Sequence, residues 1–326
     1  MVPGVAHFVW YGAKLPYLHA LAIRSAATHG GFEAVKLHHA DPLEEFPHVK
    51  ALEALPNFDF VPLDDQSLSE EVSGPSLVDL VRSLKSPVAR ANVARAAIVF
   101  RDGGVYLDMD TLTIRSFDGV RAKAAGFIGR ERIVFPGHVV RSRDPRVKAK
   151  AYLMTALRDL YRRAPHGYRA FRRIEPHYHL AVNNALLGGE SGHPVWRALL
   201  DAMATLPRER WQVRYALGTH LSQSVCEAYR GGDFHLFSPP VFYPLPPEIS
   251  AHWFRHYPRG ANGLDAIDDM TCCIHWYASV RTKKVVASMT DADAVRRLAS
   301  TQLFSSLAVR VLDGEPIAPT PAATPD

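Results

Sequence analysis

Short apolar segments alternate with helical segments through the first third of the chain. VAHFVWYG near the N-terminus, then FEAVKLHHA and FDFVPLDD, have the apolar character of buried strands. The segment after Pro16 and the segment that starts at Pro87 are helical in pattern, and each ends at a pair of glycines. This alternation predicts an α/β fold with a mainly parallel central sheet flanked by helices. Further helical patterns at 145–163 and 291–312 predict added helices in the C-terminal half.

The chain of 326 residues fits one large α/β domain, which we place at residues 1–312. The segment 313–326 is rich in Pro and Ala and has no apolar period, so we expect a disordered tail. The N-terminus lacks the pattern of a secretory signal, and no apolar stretch is as long as a membrane span. The three cysteines show neither a paired framework nor zinc-ligand spacing. These features predict a cytoplasmic protein.

The charge of the chain favours anionic partners. The formal net charge is +5 and the isoelectric point is about 9.1. The sequence has no nucleic-acid-binding motif, so we expect no nucleic-acid partner. The segment 158–173 interleaves six arginines with aromatic residues, which predicts peripheral contact with an anionic membrane at its inner face. The alternative for this segment is a solvated basic face.

The segment RDGGVYLDMDTL, residues 101–112, places two aspartates one residue apart after a short apolar run. If VYLDMD is a strand, Asp108 and Asp110 lie on the same side of it. Ligands of open α/β sheets bind outside the carboxyl ends of strands, and paired carboxylates repel unless a cation lies between them. Oxygen ligands suit Mg²⁺ or Mn²⁺, which share their coordination with substrate phosphates. The pattern predicts a nucleoside diphosphate substrate; the alternative is that both aspartates cap a turn.

A different enzyme class has a similar sequence motif. VYLDMDTL also resembles the strand and D-x-D-x-T motif of haloacid dehalogenase-like phosphatases, in which Asp108 would be the nucleophile and Asp110 the acid and base. That motif usually lies near the start of a chain and continues Asp-Gly-Thr, whereas Thr111 and Leu112 follow Asp110 here. The phosphatase therefore remains an alternative.

Several segments together resemble glycosyltransferase family 32, the D-x-D sugar-transferase family, and more distantly the glucosyltransferase domain of the large clostridial toxins. They run in the family's order over residues 5–280: HFVWYG, SPVARANVARAAIVFRDGGVYLDMD, NALLGGESGHP and IHWYASV. The resemblance implies a glycosyltransferase-A type fold, Mn²⁺ or Mg²⁺, and a nucleotide-sugar donor, which we expect to be UDP-linked. It also implies transfer of a hexose or N-acetylhexosamine with retention of anomeric configuration.

The resemblance implies roles for individual residues. Asp108 and Asp110 hold the metal together with Ser279, and Arg95 acts with the two carboxylates in catalysis. An aromatic ring stacks on the nucleotide base, and amide side chains contact the sugar or the diphosphate. The donor-binding set is Trp10, Asn92, Arg95, Tyr106, Asp108, Asn184, Trp276 and Ser279.

Two positions depart from the family pattern. Asn92 occupies a position where the family usually has Asp, and Val280 replaces the Trp of the closing element. A catalytically silent sugar-nucleotide binder is therefore an alternative to an active enzyme. For the acceptor we expect a glycan or lipid-linked glycan in polysaccharide biosynthesis, with a protein-modifying effector as the alternative. We interpret the following histidines as packed or surface residues: His38, His39, His177, His179 and His275.

Overall fold

The computed structural model describes residues 1–213, 216–278 and 283–317. Nine strands lie in this part of the chain: β1 (Val5–Trp10), β2 (Ala34–His39), β3 (Phe58–Pro62), β4 (Gly104–Leu107), β5 (Thr111–Thr113), β6 (Gly126–Ile133), β7 (His179–Gly189), β8 (Phe234–Phe237) and β9 (Cys273–His275). A seven-stranded sheet has the order β3-β2-β1-β4-β7-β6-β8, and β5 pairs with β9 in a separate two-stranded sheet.

Most pairings in the large sheet are parallel. β1 pairs parallel with β2 and β4, β2 with β3, and β6 with β8, whereas β7 is antiparallel to both β4 and β6. The predicted α/β class with a mainly parallel central sheet flanked by helices is therefore confirmed. Because β1 and β4 are parallel neighbours, their carboxyl ends lie at one edge of the sheet, next to the D-x-D segment.

Helices cover both faces of the large sheet and build much of the C-terminal half. Those of the first half are α1 (Tyr17–His29), α2 (Pro47–Glu53), α3 (Asp65–Ser73), α4 (Pro75–Ser83), α5 (Pro87–Asp102), α6 (Asp118–Arg121), α7 (Gly137–Arg141) and α8 (Pro145–Arg163). They are followed by α9 (Gly167–Ile174), α10 (Pro194–Ala204), α11 (Thr219–Ala228), α12 (Pro239–Phe242), α13 (Lys283–Ser288), α14 (Ala292–Leu298) and α15 (Leu303–Asp313). The described helices include none with the length and apolar character needed to cross a bilayer.

Pro and Gly fix the position of α5, which leads into the D-x-D segment. Pro87 occupies the first turn, where a missing N–H costs nothing, and Gly103 ends the helix with a φ of 71°. Gly104 has a φ of 95°, and a Cβ there would lie 2.5 Å from the backbone oxygen of Val5 in β1. Only glycine therefore lets β4 begin so close to β1.

A histidine pair is buried between β1 and β2. Nδ1 of His7 lies 3.0 Å from Nε2 of His38, and Nε2 of His7 lies 3.0 Å from the carbonyl oxygen of Gly103. Burial lowers the pKa of His7 to about 4, so its ring is neutral near pH 7. Both of its ring nitrogens are engaged in these two contacts. His38 is buried and is thus a packed residue, which is one of the two interpretations that the sequence left open.

The C-terminal region differs from its sequence interpretation in two places. The helical pattern at 291–312 forms two helices, α14 and α15, because the chain turns between them at residues 299–302. Within the segment assigned to a tail, Asp313 is the last residue of α15 and Ile317 is buried. Residues 318–326, on which the rest of that prediction falls, lie outside the described part of the chain.

Candidate active site

The two aspartates of the D-x-D motif lie in a turn that joins the two sheets. β4 ends at Leu107, and residues 108–110 lead directly into β5. The strand does not continue through Asp110, which was the condition for placing both aspartates on one side of it, because the chain leaves the large sheet here and enters the small one. The two carboxylates nevertheless face a common site: ligand atoms of Asp108, Asp110 and His275 all lie within 4.8 Å of one another.

Asp108 is held by residues from β4 and α5. Its Oδ1 accepts a hydrogen bond from the hydroxyl of Tyr106 at 2.7 Å and lies 3.0 Å from Nη2 of Arg95. Arg95 is buried, lies 4.7 Å over the ring of Tyr106, and donates through Nη1 to the carbonyl oxygen of Asn184 at 2.5 Å. Burial raises the pKa of Asp108, although the guanidinium of Arg95 acts in the opposite direction.

Two amide side chains extend this polar cluster. Nδ2 of Asn184, on β7, donates to Oδ1 of Asn92 at 2.9 Å. Asn92 precedes Arg95 by one helical turn on α5, so both side chains lie on the same face of that helix. The structure thus brings together five of the predicted residues: Asn92, Arg95, Tyr106, Asp108 and Asn184.

Asp110 is held by the C-terminal half of the chain. Its Oδ1 lies 2.9 Å from Nε2 of His275, its Oδ2 accepts from the backbone N–H of Ala278 at 2.6 Å, and its carbonyl oxygen accepts from the N–H of Trp276 at 2.9 Å. Burial acts to raise the pKa of Asp110, but His275 and the Ala278 N–H outweigh it and lower the pKa to about 2. Burial acts to lower the pKa of His275, but Asp110 outweighs it and raises this pKa.

His275 is therefore a site residue that the sequence did not identify. It is buried, as interpreted, but it also contacts Asp110 across a separation of 165 residues. A single histidine in an apolar strand carries no spacing signal that would relate it to the D-x-D motif. Only the pairing of β5 with β9, in which Thr111 lies opposite His275, places the ring there.

The two predicted tryptophans lie on either side of another histidine. The ring of His19 is 5.0 Å from that of Trp10 and stacks on that of Trp276 at 5.5 Å, and Nδ1 of His19 lies 2.7 Å from the carbonyl oxygen of Met109. Trp10 is half-buried, whereas Trp276 is fully buried. Both donor-binding roles stay predictions. Ser279 falls outside the described residues.

A buried carboxylate lies behind His275. Glu131 of β6 accepts a hydrogen bond from the hydroxyl of Tyr277 at 2.8 Å, and burial raises the pKa of Glu131. The ring of Tyr277 lies 4.0 Å from that of His275, and its backbone has a φ of 55°, in the left-handed region. Tyr277 directly precedes Ala278, so its anchoring by Glu131 helps to hold the N–H that contacts Asp110.

The residues present fit a divalent cation. Asp108 and Asp110 supply the hard oxygen ligands that Mg²⁺ and Mn²⁺ prefer, and a ring nitrogen of His275 lies within 4.8 Å of both carboxylates. Nδ1 of His275 is buried and has no hydrogen-bond partner among the described residues. The donor set is therefore suited to a metal, and its chemistry does not distinguish between the two ions.

Part of the chain matches a known sequence family. Residues 25–126 match the family described as "Glycosyltransferase sugar-binding region containing DXD motif". The matched region contains α5, β4 and both aspartates of the turn. It confirms the resemblance to D-x-D sugar transferases and indicates a glycosyltransferase. No curated protein matches the chain.

Solved structures of glycosyltransferases have a weak likeness to this fold. The PaToxG glycosyltransferase is 14% identical, with 69% of this chain and 68% of that chain covered and a TM-score of 0.41. The apo form of mouse xyloside xylosyltransferase 1 is 14% identical, with 86% of this chain and 99% of that chain covered and a TM-score of 0.44. The apo WbbM bifunctional glycosyltransferase is 13% identical, with 95% and 51% covered and a TM-score of 0.46. Likenesses this weak say nothing about donor or acceptor.

Proposed function

We propose that the chain is a metal-dependent, retaining hexosyltransferase. It moves a hexose or N-acetylhexosamine from a UDP-linked sugar to a glycan or lipid-linked acceptor in polysaccharide biosynthesis. One observation carries the proposal: Asp108, Asp110 and His275 converge at the turn after β4, within reach of one cation, and both aspartates lie in the region that matches the D-x-D family.

In the proposed reaction Asp108 and Asp110 hold Mn²⁺ or Mg²⁺, with Ser279 as a further predicted ligand. The cation supplies positive charge where the leaving diphosphate gains negative charge. Arg95 keeps Asp108 oriented and adds its own charge to the same field. His275 fixes one oxygen of Asp110, so that its carboxylate is preorganised rather than mobile.

The donor-binding roles follow the exposure of each residue. Trp10 is half-buried and offers a ring for stacking on the nucleotide base. Asn92 is half-buried and offers an amide group that can donate to and accept from sugar hydroxyls, whereas Asn184 is buried and positions that amide by donating to it. Tyr106 and Trp276 are almost fully buried, so we assign them indirect roles: Tyr106 orients Asp108, and Trp276 supports the stack behind Trp10.

The phosphatase alternative has less support. Both aspartates lie in residues 25–126, which match a sugar-binding region of glycosyltransferases. A cytoplasmic enzyme that works beside the membrane agrees best with the proposed lipid-linked acceptor. A protein-modifying effector would use the same donor site with another acceptor.

A panel of nucleotide sugars tests the proposal, with and without Mn²⁺, by released nucleotide and by thermal shift. The matched variants are Asp110→Asn and Asp59→Asn, since Asp59 is an exposed aspartate of β3. We expect metal-dependent UDP release from one donor, lost in Asp110→Asn and kept in Asp59→Asn. Metal-dependent donor binding that survives Asp110→Asn would overturn the metal assignment. A thermal shift with donor but without released nucleotide would indicate the catalytically silent binder. Hydrolysis of an aryl phosphate would indicate the phosphatase.

A further inference from the structure

The helix α8 exposes an apolar face to solvent. Tyr152 is 68% exposed, Leu153 59% and Leu160 60%, whereas Ala151 and Met154 on the other side are buried. At about 100° per residue, the exposed positions span an arc of roughly 160°. Its centre is apolar, and the basic residues and Tyr152 lie toward its edges. The exposed positions are Pro145, Arg146, Ala149, Lys150, Tyr152, Leu153, Ala156, Leu160 and Arg163.

The charge around this face is almost entirely positive. Asp159 is the single acidic residue in the sequence of α8, and its carboxylate is paired with Arg158 and Arg162. The preceding helix α7 and the loop after it continue the same surface with the exposed residues Val140, Arg141 and Arg143. Asp144 is an exposed acidic residue beside this face. It is the N-cap of α8, and its side chain accepts a hydrogen bond from the backbone N–H of Arg146. We call α7, this loop and the exposed arc of α8 the α7–α8 face.

We propose that the α7–α8 face docks on an anionic phospholipid membrane. A helix face with leucines at its centre, and with Arg, Lys and a tyrosine toward its edges, has the composition with which amphipathic helices lie in the interface of a bilayer. Anionic head groups attract the flanking cations. A second copy of the chain would instead bring like charges opposite one another, and a nucleic acid would leave Leu153 and Leu160 in water.

The segment 158–173 that the sequence indicated for membrane contact is less suited to it. Of its three aromatic residues, Tyr168 and Phe171 are buried and Tyr161 is half-buried, so most of the side chains that would enter a bilayer pack in the protein core instead. Arg158 is paired with Glu248, and Arg169 with Asp265. The segment overlaps the new surface at the end of α8, but the exposed apolar residues lie mostly before it. The docking surface is therefore shifted toward the N-terminus of α8.

Vesicle flotation of the full chain tests this proposal without any need for turnover, so its outcome is independent of the donor assays. The vesicles are phosphatidylcholine with or without phosphatidylserine, at low and high salt. We expect binding to the anionic vesicles that salt weakens. The double variant Arg146→Glu, Lys150→Glu should bind at least about thirtyfold more weakly. Leu153→Ser with Leu160→Ser should also weaken binding.

A matched charge reversal on α9, Arg172→Glu with Arg173→Glu, keeps the overall charge change but lies within the originally indicated segment. This control should retain most of the binding. Loss of binding in the control alone, or no binding of the unmodified chain to anionic vesicles, would overturn the proposal. A concentration-dependent dimer that Leu153→Ser abolishes would overturn it in favour of a second copy as the occupant. Circular dichroism checks that each variant is folded.

Discussion

Removal of the Arg95 side chain tests whether the buried ion pair with Arg95 offsets the free-energy cost of burying the carboxylate of Asp108. Breaking a buried pair by removing one partner costs about 3–5 kcal/mol, because it leaves an uncompensated charge. The side chain of Asp108 is 24% exposed and that of Arg95 6%, so water relieves part of the penalty on the carboxylate. We therefore expect Arg95→Met to lower the free energy of unfolding by about 3 kcal/mol, at the low end of that range.

A double-mutant cycle with Asp108→Asn separates the pair from the loss of packing. In the double variant neither charge is left buried without its partner. Its decrease in the free energy of unfolding should therefore be smaller than the sum of the decreases in the two single variants, by about 2 kcal/mol or more. Urea denaturation followed by tryptophan fluorescence measures all four proteins. Arg101→Met is the control, because Arg101 forms its ion pairs on the surface and should cost at most about 1 kcal/mol.

The pH dependence provides an independent check. Burial already raises the pKa of Asp108, and removal of Arg95 takes away the cation that opposes this shift. A carboxyl whose folded pKa is raised destabilises the fold when it is ionised, and this loss is relieved as pH falls through the folded pKa. The deficit of Arg95→Met should therefore shrink at acidic pH. A deficit below about 1 kcal/mol, or strictly additive single variants, would refute the reasoning.

Three further outcomes are expected. The neutral histidine pair between β1 and β2 should make the fold lose stability as pH falls from about 6.5 toward about 4, by about 3 kcal/mol from His7 alone; His7→Gln should flatten this dependence, and an unchanged slope would contradict it. Tyr277→Phe removes the donor to Glu131, so it should cost about 1–2 kcal/mol in urea denaturation and weaken the metal-dependent thermal shift with donor; wild-type behaviour in both assays would contradict this role. Gly104→Ala should lower the stability by more than about 2 kcal/mol, while Gly119→Ala, which meets open space, should change it little; equal effects would contradict the close approach of β4 to β1.

Local signals in the sequence predicted the framework well. Pro87 and Gly103 mark the two ends of α5, and the apolar segments of the first third form β1, β2 and β3. Such signals work because caps, turns and periodicity depend on neighbouring residues. The D-x-D motif is also recognisable from the sequence, because it occupies three adjacent positions, and it lies in the region that matches the family.

Contacts between distant parts of the chain escaped prediction. The strand pattern of VYLDMD continues through Asp110, yet the chain changes sheets after Leu107, which no local pattern encodes. His275 looked like a packed residue because its partner lies far away in sequence. The exposed arc of α8 was missed for a similar reason, since its buried and exposed sides depend on what packs against them.

The division of support between the two aspartates has a consequence for how the chain is synthesised. Asp108 is braced by α5 and β4, which leave the ribosome early, whereas Asp110 is braced by His275 and Ala278 near the end. A nascent chain that stops after the family-matched region 25–126 would carry both carboxylates but lack the partners of Asp110, and it would also lack Asn184 of β7, whose carbonyl oxygen anchors Arg95 beside Asp108. The carboxylate pair therefore acquires its final geometry only after residues 275–278 have been synthesised, and expression of region 25–126 alone should give no metal-dependent donor binding.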